Sequence, residues 1–329
     1  MSELAGWVEF ERALPEGQDA VASMIRALRA GDAAGARFWT GHGAVLGLRP
    51  SPAGALDADP GPLAGGEGPG ASVSAVVSFA GVCDNHAEVA RSGAGTAGSG
   101  AEAVLRSWLT LGRDTVDRLR GSYALAVWEP RRAELTLVRD RMGTRPLYYL
   151  QLATGVLFAS RPDALLAHPL VRAGLDEDAL RMALAGINVP GKTVFRDIRE
   201  VPAGHLVRFS RSGRTEHRYW RPAAAEHHDD IAATTRRVRE LLADAVGEQT
   251  GRPDARVGSL MSGGLDSSAL AALLAGRHSR PVSTFSVDYQ GYEDNFRPHI
   301  VRPGTRQPVR SRHGRASRHR PHRRGTHHG

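Results

Sequence analysis

The run Ser259-Leu260-Met261-Ser262-Gly263-Gly264-Leu265-Asp266-Ser267-Ser268-Ala269-Leu270 carries the signals of a strand, a tight turn and a helix in one short stretch. Val257 to Met261 is a short apolar run that reads as a buried strand. Ser262, Gly263 and Gly264 form a loop of small residues, and the Ala/Leu-rich segment from Ser268 to Ala275 reads as a helix. A strand that turns through glycines into a helix aims free backbone N–H groups, and the positive end of the helix dipole, at an anion. Two glycines let the backbone approach a phosphate closely, and the hydroxyls of Ser262, Ser267 and Ser268 add donors. Asp266 is an acid inside an anion site, which makes chemical sense if it holds a divalent cation bridging to phosphates. The plain alternative is a turn that binds nothing. The spelling S-G-G-x-D-S is more specific than a pair of glycines and favours the phosphate site.

Met261 to Ser268 resembles the pyrophosphate-binding loop of the asparagine synthetase family, which includes β-lactam synthetases and the macrolactam cyclases that close lasso peptides. The resemblance implies ATP and Mg²⁺ as cofactors: a carboxylate is adenylated, and an amine then displaces AMP. The protein's task in such a reaction is to position two reactants and stabilise the pyrophosphate charge. On this resemblance Ser262, Gly263, Gly264 and Ser267 hold pyrophosphate and Asp266 holds Mg²⁺. Met261 and Val287 would line the adenine through backbone contacts, at the carboxyl ends of parallel strands.

A length of 329 residues suggests two domains, and 41% hydrophobic residues are enough for globular cores. The one cysteine, Cys83, excludes an internal disulfide and fits a reducing cytoplasm. No apolar run approaches a membrane span, and no signal-peptide core stands at the N-terminus. The net charge of +8 would ordinarily invite a nucleic-acid reading. Nine arginines and no acid lie between Arg302 and Gly329, however, so residues 1–301 alone carry a charge of −1. A specific nucleic-acid face is therefore not expected.

In the N-terminal half, Trp7 to Phe10, Ala44 to Leu48 and Ser72 to Phe79 read as strands, with Pro50 to Gly70 as loop. Glu102 to Leu111 has helical spacing, and Tyr123 to Trp128 with Leu135 to Val138 reads as a hairpin around Pro130-Arg131. Several blocks here resemble the class II glutamine amidotransferase domain of asparagine synthetases. They are Leu119 to Ala124, Val138 to Tyr149, Val156 to Ser160, Thr193 to His205 and Arg218 to Trp220. The resemblance implies an αββα, Ntn-hydrolase-like sandwich over residues 1–220, followed by the start of a Rossmann-like α/β nucleotide domain over 221–301.

The glutaminase chemistry of that family uses a cysteine at the mature N-terminus, where this chain has Ser2. A serine hydroxyl is far less acidic than a thiol. The glutamine-holding Asn-Gly-Glu aligns with Ala80-Gly81-Val82, and a later acid aligns with Gly100. The expectation is a glutaminase-silent scaffold, with no catalytic residue in this domain and with Cys83 as a small core residue. That points away from glutamine-dependent asparagine synthesis and toward members whose amine is already on the substrate. The run Phe285 to Gly291, with Glu293, Asn295-Phe296 and Pro298, resembles actinobacterial lasso-peptide cyclases. Partners implied are ATP, a precursor peptide and its leader-processing proteins. A non-catalytic scaffold or binding module is the reading from another class.

Gly186-Ile187-Asn188-Val189-Pro190-Gly191-Lys192-Thr193 spells a Walker A loop. That loop needs a strand before it and a helix after it. Here a helical pattern precedes (Leu180, Ala183, Leu184), β-prone residues follow, and Pro190 removes a donor. It is read as a decoy. Thr235 to Gln249 is an amphipathic helix expected to pack on the sheet, and Pro281 to Tyr289 supplies the next strand. From about Pro303 apolar residues nearly vanish, so 302–329 is expected to be a disordered Arg/His-rich tail. Arg312–Gly329, back-translated with permitted codons and shifted by one base, can be made to read as a family-like continuation. A frameshifted tail and a truncated, inactive fragment are therefore the expectation.

Overall fold

The computed structural model describes residues 1–28, 35–51, 61–66, 72–93, 95–250 and 257–286. The chain divides into two compact units, Met1–Ala224 and Ala225–Gly329. Val287 and the 302–329 tail, on which sequence expectations fell, lie outside the described residues.

In chain order the first unit contains β1 (Glu3–Glu9), α1 (Gly17–Ala27), β2 (Arg37–Gly41), β3 (Ala44–Arg49), β4 (Leu63–Gly65), β5 (Ala75–Cys83), α2 (His86–Ser92), α3 (Gly100–Leu111) and α4 (Thr115–Arg118). There follow β6 (Gly121–Glu129), β7 (Glu134–Arg139), β8 (Tyr148–Gln151), β9 (Gly155–Ala159), α5 (Pro162–Leu166), α6 (Glu177–Leu184), β10 (Ile198–Glu200), β11 (His205–Ser210) and β12 (Gly213–Arg218). The strands form two six-stranded antiparallel sheets, ordered β10-β8-β9-β1-β3-β2 and β12-β11-β7-β6-β5-β4.

Side-chain alternation sorts these strands into layers. Leu4 and Val8 of β1, Leu46 and Leu48 of β3, Val76 and Ala80 of β5 and Trp128 of β6 share one buried cluster between the sheets. The alternate residues Val77, Phe79 and Cys83 of β5 pack outward with Val104 and Trp108 of α3. Ala5 and Trp7 of β1 pack on the opposite outside with Val21, Met24 and Ile25 of α1. Helix, sheet, sheet and helix are thus stacked as four layers.

The N-terminus of α3 is written in Ser99-Gly100-Ala101-Glu102. Ser99 Oγ accepts from the Glu102 N–H at 3.2 Å while Glu102 Oε2 accepts from the Gly98 N–H at 2.9 Å. The β6–β7 hairpin turns over Pro130–Arg132, with Ala133 at φ 45°. Within the stretch expected to be loop, Leu63–Gly65 instead pairs antiparallel with β5. Gly65 lies under Leu105 and Leu109 of α3, so the absence of a side chain lets the edge strand fit. Gly186 to Thr193 follows helix α6 and runs into isolated bridges at Lys192 and Phe195, with no helix after it. It therefore lacks the geometry of a phosphate cradle.

The second unit holds α7 (Ile231–Thr250), β13 (Gly258–Leu260), α8 (Leu265–Arg277) and β14 (Ser283–Phe285). β13 and β14 pair in parallel with α8 between them, a single β-α-β unit. β13 is shorter than the sequence suggests and largely exposed, and α8 begins three residues earlier than expected, directly at Leu265. Helix α7 forms, yet Val238, Leu241 and Leu242 are half-exposed and only Val246 and Gly247 are buried. Among the described residues a two-stranded sheet covers little of this 20-residue helix, and α7 meets α8 at Gly247 and Arg277. No helix among the described residues is long and apolar enough to cross a membrane.

One buried base makes the first unit pH-sensitive. His168 is 1% exposed, lies edge-on to Trp7 at 4.7 Å, and its Nδ1 accepts the Leu170 N–H at 3.2 Å. Burial lowers its pKa to about 4. A proton on Nδ1 would oppose the Leu170 donor. The unfolded chain binds this proton near pH 6.5 and the folded chain does not until about pH 4. Stability is therefore full above pH 6.5 and falls as pH drops toward 4, by roughly 2–3 kcal/mol at about 1.4 kcal/mol per unit. Urea melts from pH 7 to 4 should show this slope in wild type, and His168→Gln should flatten it. An equal slope in both proteins would contradict the assignment.

Candidate functional site

The loop between β13 and α8 is closed by its own hydroxyls. Ser267 Oγ accepts the Ser262 N–H at 3.3 Å, lies 3.2 Å from Ser262 Oγ and donates to the Gly264 carbonyl at 3.3 Å. Ser268 Oγ donates to the same carbonyl at 2.8 Å. Gly263 adopts φ 80°, which an L side chain resists, and nothing stands within 4 Å of where its Cβ would be. Gly264 is the residue before the helix and makes no side-chain cap. The first N–H groups of α8, at Leu265, Asp266 and Ser267, have no intrahelical partner by position, and Leu265 and Asp266 are exposed. The structure therefore brings Ser262, Gly264 and Ser267 together through mutual hydrogen bonds, with Gly263 between them and Asp266 exposed in the first turn of α8. Such a turn fits an oxyanion, and the exposed Asp266 carboxylate at its rim fits a hydrated divalent cation shared with phosphates. Among the described residues no group of three or more His, Cys, Asp or Glu could hold a metal unaided.

Met261 sits at the other side of this turn. Its N–H donates to the Phe285 carbonyl at 2.8 Å, and its carbonyl accepts Ser286 Oγ at 2.9 Å. Both backbone groups expected to meet an adenine are thus engaged with the neighbouring strand's end.

The amidotransferase-like positions lie in the first unit. Ser2 is 3% exposed and continues the face of β1 that carries Leu4 and Val8, so it belongs to the layer between the sheets. Ala80 lies in that same buried layer, and Val82 follows it on the same face of β5. Gly81 takes φ 141°, where the backbone of Ser122 leaves no room for a side chain. Cys83 faces away, toward α3. A Cβ on Gly100 would lie 3.1 Å from the Cys83 Cβ, so the two positions are packed against each other. The Cys83 Sγ lies 3.6 Å from Asn85 Oδ1.

Two features escaped the sequence reading. Arg49, at the end of β3 opposite Glu3, has a buried Nη1 with no hydrogen bond among the described residues. An arginine ending an apolar strand is the available signal. The other is the node at Arg139-Asp140. Asp140 accepts the N–H groups of Met142, Thr144 and Arg145 at 2.9–3.1 Å. Arg139 pairs with Glu200 at 2.6 Å and donates to the carbonyls of Gly143, Arg145 and Val201. Its own carbonyl accepts the Tyr219 hydroxyl, whose burial pushes it up to about 12.

Residues 1–220 match the family model described as glutamine amidotransferase domain. The chain belongs to that family. Residues 237–300 match the model described as asparagine synthase. It is 35% identical over 216 residues to asparagine synthetase (glutamine-hydrolyzing) 3 of Bacillus subtilis, covering 64% of this chain and 35% of that protein. A putative asparagine synthetase (glutamine-hydrolyzing) of Mycobacterium tuberculosis is 30% identical over 223 residues, 64% of this chain and 33% of its own length. This chain thus spans about a third of the length of the curated relatives it matches. A solved structure, the glutamine phosphoribosylpyrophosphate amidotransferase of B. subtilis, aligns with 93% of this chain and 69% of its own at a TM-score of 0.45 and 11% identity.

Because Cys83 is the sole cysteine, its environment has a clean readout. A thiol held 4% exposed under α3 should react with an aromatic disulfide reagent at least 100-fold more slowly in the native chain than in denaturant. Rapid native labelling would place Cys83 in an accessible pocket instead.

Proposed function

We propose that this chain belongs to the amide-forming, ATP-dependent ligases of its family and takes its amine from the acceptor substrate, not from glutamine. The observation that carries this is the chemistry of the inter-sheet face. Where the family supplies a thiol, an amide and a carboxylate, Ser2, Ala80 and Val82 supply a hydroxyl and two hydrocarbons. The later acid is replaced by Gly100, whose place is filled by its contact with Cys83. A glutamine entering that layer would bury its amide and charged ends without partners, at a cost of several kcal/mol.

In the second unit the N–H groups opening α8 and the hydroxyls of Ser262 and Ser267 would bind the pyrophosphate portion of ATP, with Gly263 keeping the approach clear. Asp266 would hold Mg²⁺, which supplies charge neutralisation of the phosphates. Met261 and Val287 would flank the adenine at the carboxyl ends of β13 and β14, in a larger Rossmann-like sheet. The substrate class that fits is a molecule bearing both carboxylate and amine. We take it to be a peptide closed to a macrolactam, as the 285–298 resemblance to lasso-peptide cyclases suggests, with a precursor peptide and its leader-processing proteins as cytoplasmic partners. Glutamine-dependent asparagine synthesis is the second reading, favoured by the similarity to the Bacillus and Mycobacterium asparagine synthetases.

Glutamate release from glutamine separates the two readings. The purified chain should release none above a protein-free blank, and Ser2→Cys alone should add none, because Ala80 and Val82 remain. Glutamate release by either protein would contradict the proposal. For the nucleotide site, ATP should bind more tightly with Mg²⁺ than with chelator. Asp266→Asn should reduce the Mg²⁺-dependent part about tenfold, near 1.4 kcal/mol. Binding indifferent to Mg²⁺, or to Asp266, would remove the metal role.

A further inference from the structure

Among the described residues, a cleft of the first unit lies apart from Ser2, Ala80, Val82 and Cys83. It is about 410 Å³ in volume, at the end of the sandwich where edge strands β10 and β12 converge on β8. Four arginines line it, Arg172, Arg196, Arg199 and Arg214, against one acid, Asp197. None of the four is in an ion pair with a described residue. Arg214 donates to the Tyr149 hydroxyl at 2.6 Å with its guanidinium 5.9 Å from the ring centroid, and Arg196 donates to the Leu175 carbonyl at 3.3 Å. Both contacts steer a guanidinium without neutralising it. Arg172 and Arg199 are exposed.

Like charges gathered in one cleft repel, and nothing in the packing requires them there. Ile198 fills the core beneath, while Arg199 faces outward. Tyr149 and Leu170 add an aromatic and an apolar wall. A net charge of about three positives, in a volume suited to a small molecule, calls for an anion of high charge density with an organic body. Guanidinium forks bind phosphate oxygens in pairs, which a lone carboxylate satisfies only once.

We propose that this cleft is a binding site for a small organic phosphate carrying two or more phosphate charges. The site is independent of the nucleotide loop in the second unit and does not rest on the function proposed above.

Inorganic pyrophosphate is titrated calorimetrically into the full chain in the presence of chelator, and the cleft is read as the part of the binding lost in the arginine variants, because any contribution of the glycine turn is the same in all of them. Arg199→Gln with Arg214→Gln should lower the affinity at least tenfold while leaving Mg²⁺-dependent ATP binding unchanged. The corresponding double lysine variant keeps the charge, loses the forks and should recover only part of the loss. If removing the Arg214–Tyr149 bond unfolds the protein, Arg172→Gln with Arg199→Gln gives the same readout, since neither side chain braces the fold. Unchanged pyrophosphate affinity in the glutamine variants would overturn the proposal. So would a cleft that takes a poly-glutamate peptide but not pyrophosphate, because the surface would then belong to an acidic protein segment.

Discussion

The first unit depends on a single constraint: two six-stranded sheets must bury a common hydrocarbon layer, and strand alternation allows each residue only one side. Leu4, Val8, Leu46, Val76, Ala80, Trp128 and Phe158 fill that layer without a charged group among them. A slip of one residue in β1 or β5 would exchange this layer for the helix-facing one, so the register is strongly fixed. The functional consequence is direct. Ser2, Ala80 and Val82 are committed to the inter-sheet side, and Cys83 is committed to the helix side by the same alternation. The one thiol in the chain therefore cannot substitute for a missing nucleophile without moving a strand.

Where hydrocarbon stops, a polar node takes over. Arg139 and Glu200 are both nearly buried and meet in a charge-assisted pair. Three carbonyls take three of the four remaining guanidinium N–H groups, and Asp140 collects three N–H groups of the following loop. A buried ion pair of this kind stabilises little relative to a hydrocarbon core, but losing one partner leaves an uncompensated charge. Its service is geometric: it fastens the end of β7 to β10 and to the loop that enters β8.

How much of this was legible varies with the physics involved. Strands β1, β3, β6 and β7 and helix α3 are plain in the sequence, because alternation and spacing are local signals. The strand at Leu63–Gly65 was hidden in a Pro/Gly/Ala-rich run, since its existence depends on pairing with β5 and shelter under α3. The apolar spacing of α7 announced a helix, and among the described residues only its Val246–Gly247 end is covered, because a pattern cannot say how much surface its neighbours offer. At the glycine turn the strand–loop–helix order was readable. The mutual bonding of Ser262 and Ser267 and the engagement of Met261 with Phe285 were not, since both arise from the chain folding back on itself. The arginine cleft was invisible for a related reason: its four cations come from three segments, around 172, 196–199 and 214, and meet only through topology.

The account stands on the claim that the inter-sheet layer no longer holds glutamine. Saturation-transfer NMR with free glutamine on the intact chain measures this directly. The account predicts no transfer to glutamine that an excess of unlabelled competitor or a Val82→Phe change could abolish. Saturable transfer, lost in Val82→Phe, would show a living glutamine pocket and contradict it.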